Sequence, residues 1–320
     1  MILTVTLNAA VDRTIAVPSF RLGHRHRAVE SRTVAGGKGV NVARALKLLG
    51  RPVIATGLVG GATGARILEH LTDESILHDF TRIKGESRTN LAVIDPTSGE
   101  QTELNERGPE VSTEEVDQFV EKLLYLAQGA TACVLAGSVP PGVDTEVYGR
   151  LIGELSRFGV LCVLDTDGEL MRAALLSEPA VVAPNVLEAE EAVGHEFNDA
   201  DDLAMGLGGL IEMGAGEAII TREAGCVAIV GRGAERRRYE VAIDPLEAVS
   251  SVGSGDCFLA GYVAARYEGG SAEECLAYGV ACGAESTQHL GAGTLDAAEV
   301  ERLAGRVQVR ELEVRAAGVS

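Results

Sequence analysis

The sequence predicts an α/β fold: a three-layer α/β/α sandwich with a mostly parallel central sheet, plus a small second β-sheet. Three observations carry that prediction. After Gly108, strand-like apolar runs alternate regularly with helix-length stretches, and this alternation buries a parallel sheet between two layers of helices. Two extended patches, residues 11–34 and 77–106, interrupt the alternation with short strand-like pieces and turns, and these form the second sheet. The composition, 46% hydrophobic with 39 glycines among 320 residues, supplies a sizeable core and many tight turns.

In chain order, Ile2–Leu7 reads as a buried strand. Short extended pieces broken by Pro18 and Gly23 follow. Val40–Leu49 has helical apolar spacing and ends at Gly50, a C-terminal stop. Val53–Val59 is a strand and Ala62–Leu71 a helix; from Leu77 to Glu106 the chain is extended again, turning at Lys84-Gly85 and Ser98-Gly99. Ser112-Thr-Glu-Glu115 is a capping box opening a helix that runs to Ala127. Strand Ala132–Ala136, helix Thr145–Phe158, strand Val160–Asp165, helix Glu169–Leu176 and strand Ala180–Ala183 succeed one another. Helices begin at Val186 and Asp201, then come strands Ala218–Thr221 and Val227–Val230. Helices Asp256–Tyr267 and Ala272–His289 complete the pattern, with Asp296-Ala-Ala-Glu299 capping one more. The main domain is thus expected over 1–10, 35–76 and 107–320, and the small second sheet over 11–34 and 77–106.

Charge narrows the partners. Against 47 acidic residues stand 28 basic ones, a net −19, which argues against nucleic acid or an anionic membrane. A small anionic substrate needs only a local cationic pocket and remains compatible. Six cysteines lie inside apolar runs without CxxC pairing, the pattern of reduced core thiols in a cytoplasmic protein. The opening MILTVTLNAAVD does not read as a signal peptide, and no run approaches the ~18 apolar residues that span a bilayer. A soluble, cytoplasmic chain is expected.

Ligands of open parallel sheets bind at the carboxyl ends of the strands, and the polar motifs of this chain fall there. Asn8 and Asp12 follow the first strand; Ala35-Gly-Gly-Lys-Gly-Val-Asn-Val-Ala43 opens a helix; Gly137-Ser138 and Pro184-Asn185-Val-Leu-Glu188 follow later strands. AGGKGVN is not a Walker A loop, because Gly39 follows Lys38. Its glycines admit a polyol to the backbone, Lys38 offers a charge for a phosphate, and Asn41 can bind hydroxyls; a plain tight turn fits the same residues. Asp12 also suits an ordinary turn. Asn185 and Glu188 share one helix face and provide hard oxygens for Mg²⁺, often through water, although an acid at a helix N-terminus is favoured by the dipole alone. The last motif is Ser250-Ser-Val-Gly-Ser-Gly-Asp256. A glycine-rich turn opening a helix presents unpaired amides to an anion, so the acid within it needs a reason. If the turn receives a transferring phosphoryl group, Asp256 takes the proton of the attacking hydroxyl while the amides of Gly253, Ser254 and Gly255 hold the phosphoryl oxygens. A capping aspartate without chemistry is the competing explanation.

Taken together, these motifs resemble the phosphofructokinase B branch of the ribokinase-like sugar kinases. Gly36-Gly37 with Asn41-Val-Ala43, Gly50 and Gly60 match one signature, and Ser250–Asp256 with Ala260-Gly261 match the other; the resemblance runs from Ile2 to about Leu303. TLNAAVD, AGGKGVNVARAL, TELNERGP, GSVPPGV, LDTDGE and PNVLEAEE are similar to the 1-phosphofructokinase and tagatose-6-phosphate kinase subgroup. The resemblance implies an ATP-dependent kinase acting on a phosphorylated ketohexose, first fructose 1-phosphate, then fructose 6-phosphate or tagatose 6-phosphate. It implies Asp256 as base and Gly253, Ser254 and Gly255 as anion hole. Asp12, Gly37, Asn41 and Ser138 would hold the sugar, with Lys38 and Arg88 near its phosphate. Asn185, Thr221, Gly225 and Gly255 would meet the nucleotide, Glu188 and Asn185 would serve Mg²⁺, and the small second sheet would be a β-sheet lid that also clasps a homodimer. Ala183 replaces a lysine common before Pro-Asn, ITREAGC departs from Ser/Thr-x-Gly-x-x-Gly, and Ser250 replaces Asn or Asp. A neutral-sugar or nucleoside kinase and a non-catalytic sugar-phosphate-binding regulator are the competing functions.

Overall fold

The computed structural model describes residues Met1–Leu312; the end of the expected main domain, 313–320, lies outside them. The chain begins with β1 (Ile2–Thr6), enters the small sheet as β2 (Ala10–Ala16) and β3 (Glu30–Gly36), and returns through α1 (Lys38–Leu48), β4 (Val53–Gly60), α2 (Gly61–Asp73) and β5 (Leu77–Ile83). It leaves again as β6 (Arg88–Ile94) and β7 (Gln101–Asn105). Then follow α3 (Thr113–Ala127), β8 (Ala132–Ala136), α4 (Val147–Arg157), β9 (Leu161–Asp165), α5 (Gly168–Leu175), β10 (Val181–Val182), α6 (Val186–Val193) and α7 (Ala200–Glu212). The last part contains β11 (Glu217–Arg222), β12 (Gly225–Val230), β13 (Arg237–Ala242), α8 (Ser254–Tyr267), α9 (Ala272–Ser286), α10 (Ala297–Ala304) and β14 (Gln308–Leu312).

Ten strands form the large sheet in the order β14-β13-β12-β11-β10-β9-β8-β1-β4-β5, and four form the small one as β3-β2-β6-β7. From β5 to β11 all neighbours are parallel. Successive strand residues point to opposite faces, and this parity divides the core. Ile2, Val134 and Val163 join α1, α2, α8, α9 and α10 on one side. Leu3, Cys133 and Leu164 join α3 to α7 on the other. The three layers are those the alternation predicts.

Two differences stand out. Leu77–Ile83 pairs in parallel with β4 in the large sheet, so only the later part of the 77–106 patch belongs to the small sheet. This is a sheet edge with one wet face, and its mixed exposure gives the alternating pattern that also marks a lid strand. Secondly, β12, β13 and β14 run antiparallel. Hairpins join β11 to β12 and β12 to β13, while β14 returns to β13 only after α8, α9 and α10, and the charged Arg237–Ala242 strand carries little apolar signal.

The helix that bears Asp256 is anchored to the sheet by a buried acid. Glu217 on β11 accepts from Tyr262 Oη at 2.8 Å and from Arg266 Nη1 and Nη2 at 2.9 and 3.0 Å. Such charge-assisted pairs are short and directional, so α8 is fixed against β11 in both height and rotation.

Candidate active site

Gly253 is the N-cap of α8 and takes a left-handed conformation, φ 79°. A Cβ there would lie 2.6 Å from Ala292 Cβ, so sterics exclude a side chain twice over. Helix geometry leaves the amides of Gly255 and Asp256 without intrahelical acceptors, and beside Gly255 a Cβ would meet nothing within 4 Å. The turn is open where an anion would enter.

Asp256 is buried, 6% exposed. Asn41 Nδ2 donates to its Oδ2 at 2.8 Å. Burial pushes its carboxyl up to about 7, the nearby Asp165 adds to this, and Lys38 and the Asn41 bond oppose it. An acid that titrates near neutrality beside a helix N-terminus fits a general base better than a helix cap, which would need no such burial.

On the sheet side of this turn, Lys38 Nζ lies 3.0 Å from Asp165 Oδ1 and 3.2 Å from Glu188 Oε1. Burial disfavours its charge, but Asp165, Glu188 and Asp256 overcome this and hold the ammonium above its usual value. Lys38 was expected beside the acceptor's phosphate. Its side chain lines the cleft shared by Asn185, Glu188 and Gly253–Asp256, where the Asp165 and Glu188 carboxylates hold it. Asp165, at the carboxyl end of β9, was not singled out from the sequence; the LDTDGE stretch that contains it was the available signal.

Asn185 and Glu188 form a reciprocal capping box: the Asn185 amide donates to Glu188 Oε2 at 2.9 Å, and the Glu188 amide to Asn185 Oδ1 at 3.0 Å. Glu188 therefore caps α6 and meets Lys38 with its other oxygen. Thr221 forms a parallel bridge with Asn185, and its amide donates to the Pro184 carbonyl at 2.9 Å. Thr221 and Gly225 line the same cleft of about 630 Å³. Part of its lining is apolar, with Ile243, Pro245, Leu246 and Val280. The polar lining suits phosphate and the apolar part a flat apolar group.

No group of three or more His, Cys, Asp or Glu side chains among the described residues could hold a metal by itself. The donor set nevertheless suits Mg²⁺, which keeps its waters and needs one or two carboxylates plus ligand phosphates: Glu188 and Asn185 offer oxygens to the cleft, and Asp165 lines it beside them.

The other predicted residues gather on the small-sheet side. Asp12 on β2 stands opposite Asn90 on β6 in register, and Asn90 Nδ2 donates to its Oδ1 at 2.8 Å. Burial raises the Asp12 carboxyl, against the Asn90 bond, Arg88 and Arg44. Gly36 leaves room for that carboxylate, since a Cβ would lie 1.9 Å from Asp12 Oδ2. Gly37 caps α1 with φ 104°. Arg88 donates through Nε to the Asn8 carbonyl and through Nη1 to that of Glu106, both at 3.0 Å. Asn8 Nδ2 in turn donates to Ser138 Oγ at 3.2 Å, tying Arg88 and Ser138 to one residue. Asn41 joins the two sides, as it reaches Asp256 from the helix that begins beside Gly37. Arg44 is a further unpredicted member: its Nη1 donates to Asn41 Oδ1 at 3.1 Å.

Among the described residues no helix is long and apolar enough to cross a membrane. A 1-phosphofructokinase of Borreliella burgdorferi is 31% identical over 313 residues, 98% of this chain and 99% of the relative. A tagatose-6-phosphate kinase of Staphylococcus epidermidis is 31% identical over 98% of this chain and all of its own length. The crystal structure of phosphofructokinase-2 from Escherichia coli with fructose-6-phosphate superposes with a TM-score of 0.86 at 28% identity, covering 95% of this chain and 98% of that one. The profile of the pfkB family carbohydrate kinases matches residues 4–298. With the ribokinase-like sandwich, the amide-rich turn and the buried Asp256 in place, this chain belongs to the pfkB family of carbohydrate kinases.

Proposed function

We propose that this chain transfers the terminal phosphoryl group of ATP to a hydroxyl of a phosphorylated ketohexose, fructose 1-phosphate first, giving fructose 1,6-bisphosphate and ADP. The observation that carries the reading is Asp256: buried, gripped by Asn41, and one residue from the open face of a helix N-terminus. The acceptor oxygen attacks the terminal phosphorus as its proton passes to a carboxylate oxygen of Asp256. The bond to the bridging oxygen breaks, and the electron pair leaves with ADP. Amides of the 253–256 turn hold the equatorial oxygens, where charge is greatest.

The apolar part of the cleft lining takes the adenine, and Thr221, Gly225 and Asn185 border the nucleotide. Glu188 and Asn185 would hold magnesium, and the bound ion would supply neutralisation of phosphate charge. Asp12, Gly37, Asn41 and Ser138 face the sugar, and Arg88 its phosphate. Lys38 is reassigned from that phosphate to the transferring group, since it bridges Asp165 and Glu188. The small sheet serves as lid and dimer clasp, consistent with exposed Leu22, Val29 and Leu104. Six buried free cysteines accord with a cytoplasmic setting.

Tagatose 6-phosphate is the second reading, because the curated relatives divide between the two kinases. Release of ADP from the purified chain is the assay, run across fructose 1-phosphate, fructose 6-phosphate, tagatose 6-phosphate, ribose and a nucleoside. Turnover is expected on phosphosugars, with Arg88→Ala raising the acceptor KM by ~10-fold or more, the scale of a charge-assisted hydrogen bond. Activity on ribose or a nucleoside alone would overturn the reading, and binding without turnover would identify a regulator.

A further inference from the structure

We propose that Arg44 is a positioning residue for this transfer, a clamp that decides which end of the Asn41 amide meets Asp256 and seats the 291–293 turn behind the phosphoryl cradle. The proposal rests on the functional reading above. Arg44 is 8% exposed. Its guanidinium donates to Glu74 Oε1 at 3.1 Å, the Ala35 carbonyl at 2.7 Å, the Ala292 carbonyl at 3.1 Å and Asn41 Oδ1 at 3.1 Å. Burying so complete a fork is justified only by the partners it fixes.

Consider what each contact does. Asn carries an acceptor at one end of its amide and donors at the other, and Arg has donors only. Arg44 Nη1 therefore binds Asn41 Oδ1 and leaves the NH₂ to face Asp256, where it supports the ionised base. Rotated by half a turn, the same amide would set its oxygen against the Asp256 carboxylate and favour the protonated, inactive acid. The Ala292 contact acts on the cradle. Ala292 lies where a Cβ on Gly253 would collide, and Gly293 sits so close to Asn41 that a Cβ would fall 2.5 Å from its carbonyl oxygen. One side chain thus touches both supports of the reaction centre without reaching the reactants.

The other charged groups facing Asp256 are Asp165 from β9, Lys38 from α1 and Asp12 from β2. From α9, Glu285 is engaged by His289 Nε2 at 2.7 Å and by the Asp296 amide at 3.0 Å. None of these sets the Asn41 orientation.

The test is Arg44→Gln, whose side chain accepts as well as donates and so permits the flipped amide. Two readouts are taken: the pH profile of kcat/KM, and an isotope-edited NMR titration of the Asp256 carboxyl in the nucleotide-free protein. We expect kcat to fall ~10-fold near neutral pH and the Asp256 titration to move up by about one pH unit, the scale of losing a hydrogen bond to the charged form. In an Asn41→Ala background the added Arg44→Gln should no longer move the Asp256 titration, and its effect on kcat should shrink to what the Ala292 contact alone supplies, because partners acting through one another are not additive. If Arg44→Gln does not fold, Arg44→Lys carries the same readouts: one ammonium cannot serve four acceptors. An unshifted titration in a folded variant overturns the clamp, as does a full Arg44 effect on kcat without Asn41. Wild-type protein inactive on every phosphosugar would sink the kinase reading instead, and the NMR titration would still decide on Arg44.

Discussion

Asp256→Asn tests the central claim in two directions at once. Asparagine keeps the shape and can still meet Asn41, but it accepts no proton. Loss of a general base costs ~10²-fold or more in turnover, so ADP release on the preferred acceptor should fall at least that far. Stability should move the other way. Burial holds the Asp256 carboxyl at about 7 against an ordinary 3.8, and at about 1.4 kcal/mol per pH unit this places the cost of the ionised form at up to about 4 kcal/mol. The native state retains a proton that the unfolded chain gives up. That contribution to stability is complete below the ordinary value and is lost as pH rises through about 7. The variant, which cannot ionise, should therefore gain over wild type as pH rises, reaching roughly 1–3 kcal/mol at about pH 8. Urea melts of both proteins across this range measure it. Wild-type kcat/KM should fall as pH drops through about 7, since the base must be ionised. A variant that keeps a tenth of wild-type turnover, or that is less stable than wild type at every pH, would refute the argument.

Lys38→Met removes the cation between Asp165 and Glu188, and is expected to raise the nucleotide KM by ~10-fold or more, read in initial-rate assays, with the acceptor KM less affected. Equal effects on both constants would return Lys38 to the sugar side. Gly253→Ala meets both a left-handed backbone and Ala292, so it should lose roughly 1–3 kcal/mol in chemical denaturation; an unchanged midpoint would show that the turn relaxes freely.

Much of the fold was legible because its signals are local. The Ser112 capping box, the β8 strand and the Asp296 cap are each written within a few residues and occur in the structure as read. What escaped the sequence depends on distant partners. Leu77–Ile83 has the mixed pattern of a lid strand, and only its pairing with β4 assigns it to the large sheet. The same holds in the site. Asp12, Asn41, Asn185, Glu188 and Asp256 belong to motifs whose residue types suggest their chemistry; the structure brings Asn185, Glu188 and Asp256 around one cleft, bonds Asn41 to Asp256 and leaves Asp12 on the small sheet. The direction of Lys38 is set by Asp165, some way along the chain, and Arg44 looks like an ordinary helix surface residue until Glu74 and Ala292 enclose it. A linear pattern shows which groups are available; it does not show whom they face.

The division of polar groups between the two sheets has a wider consequence. Asp12, Asn90 and Arg88 ride on the four-stranded sheet, whereas Asp256, Lys38 and Glu188 sit on helices of the ten-stranded one. On the proposed reading, part of the recognition thus rides on one sheet and the reactive groups on the other, with Asn41 bonded across to Asp256. If that reading holds, drift in β2 or β6 would retune which molecule is accepted while Asp256 and its helix stay intact, a route by which one scaffold diversifies its diet.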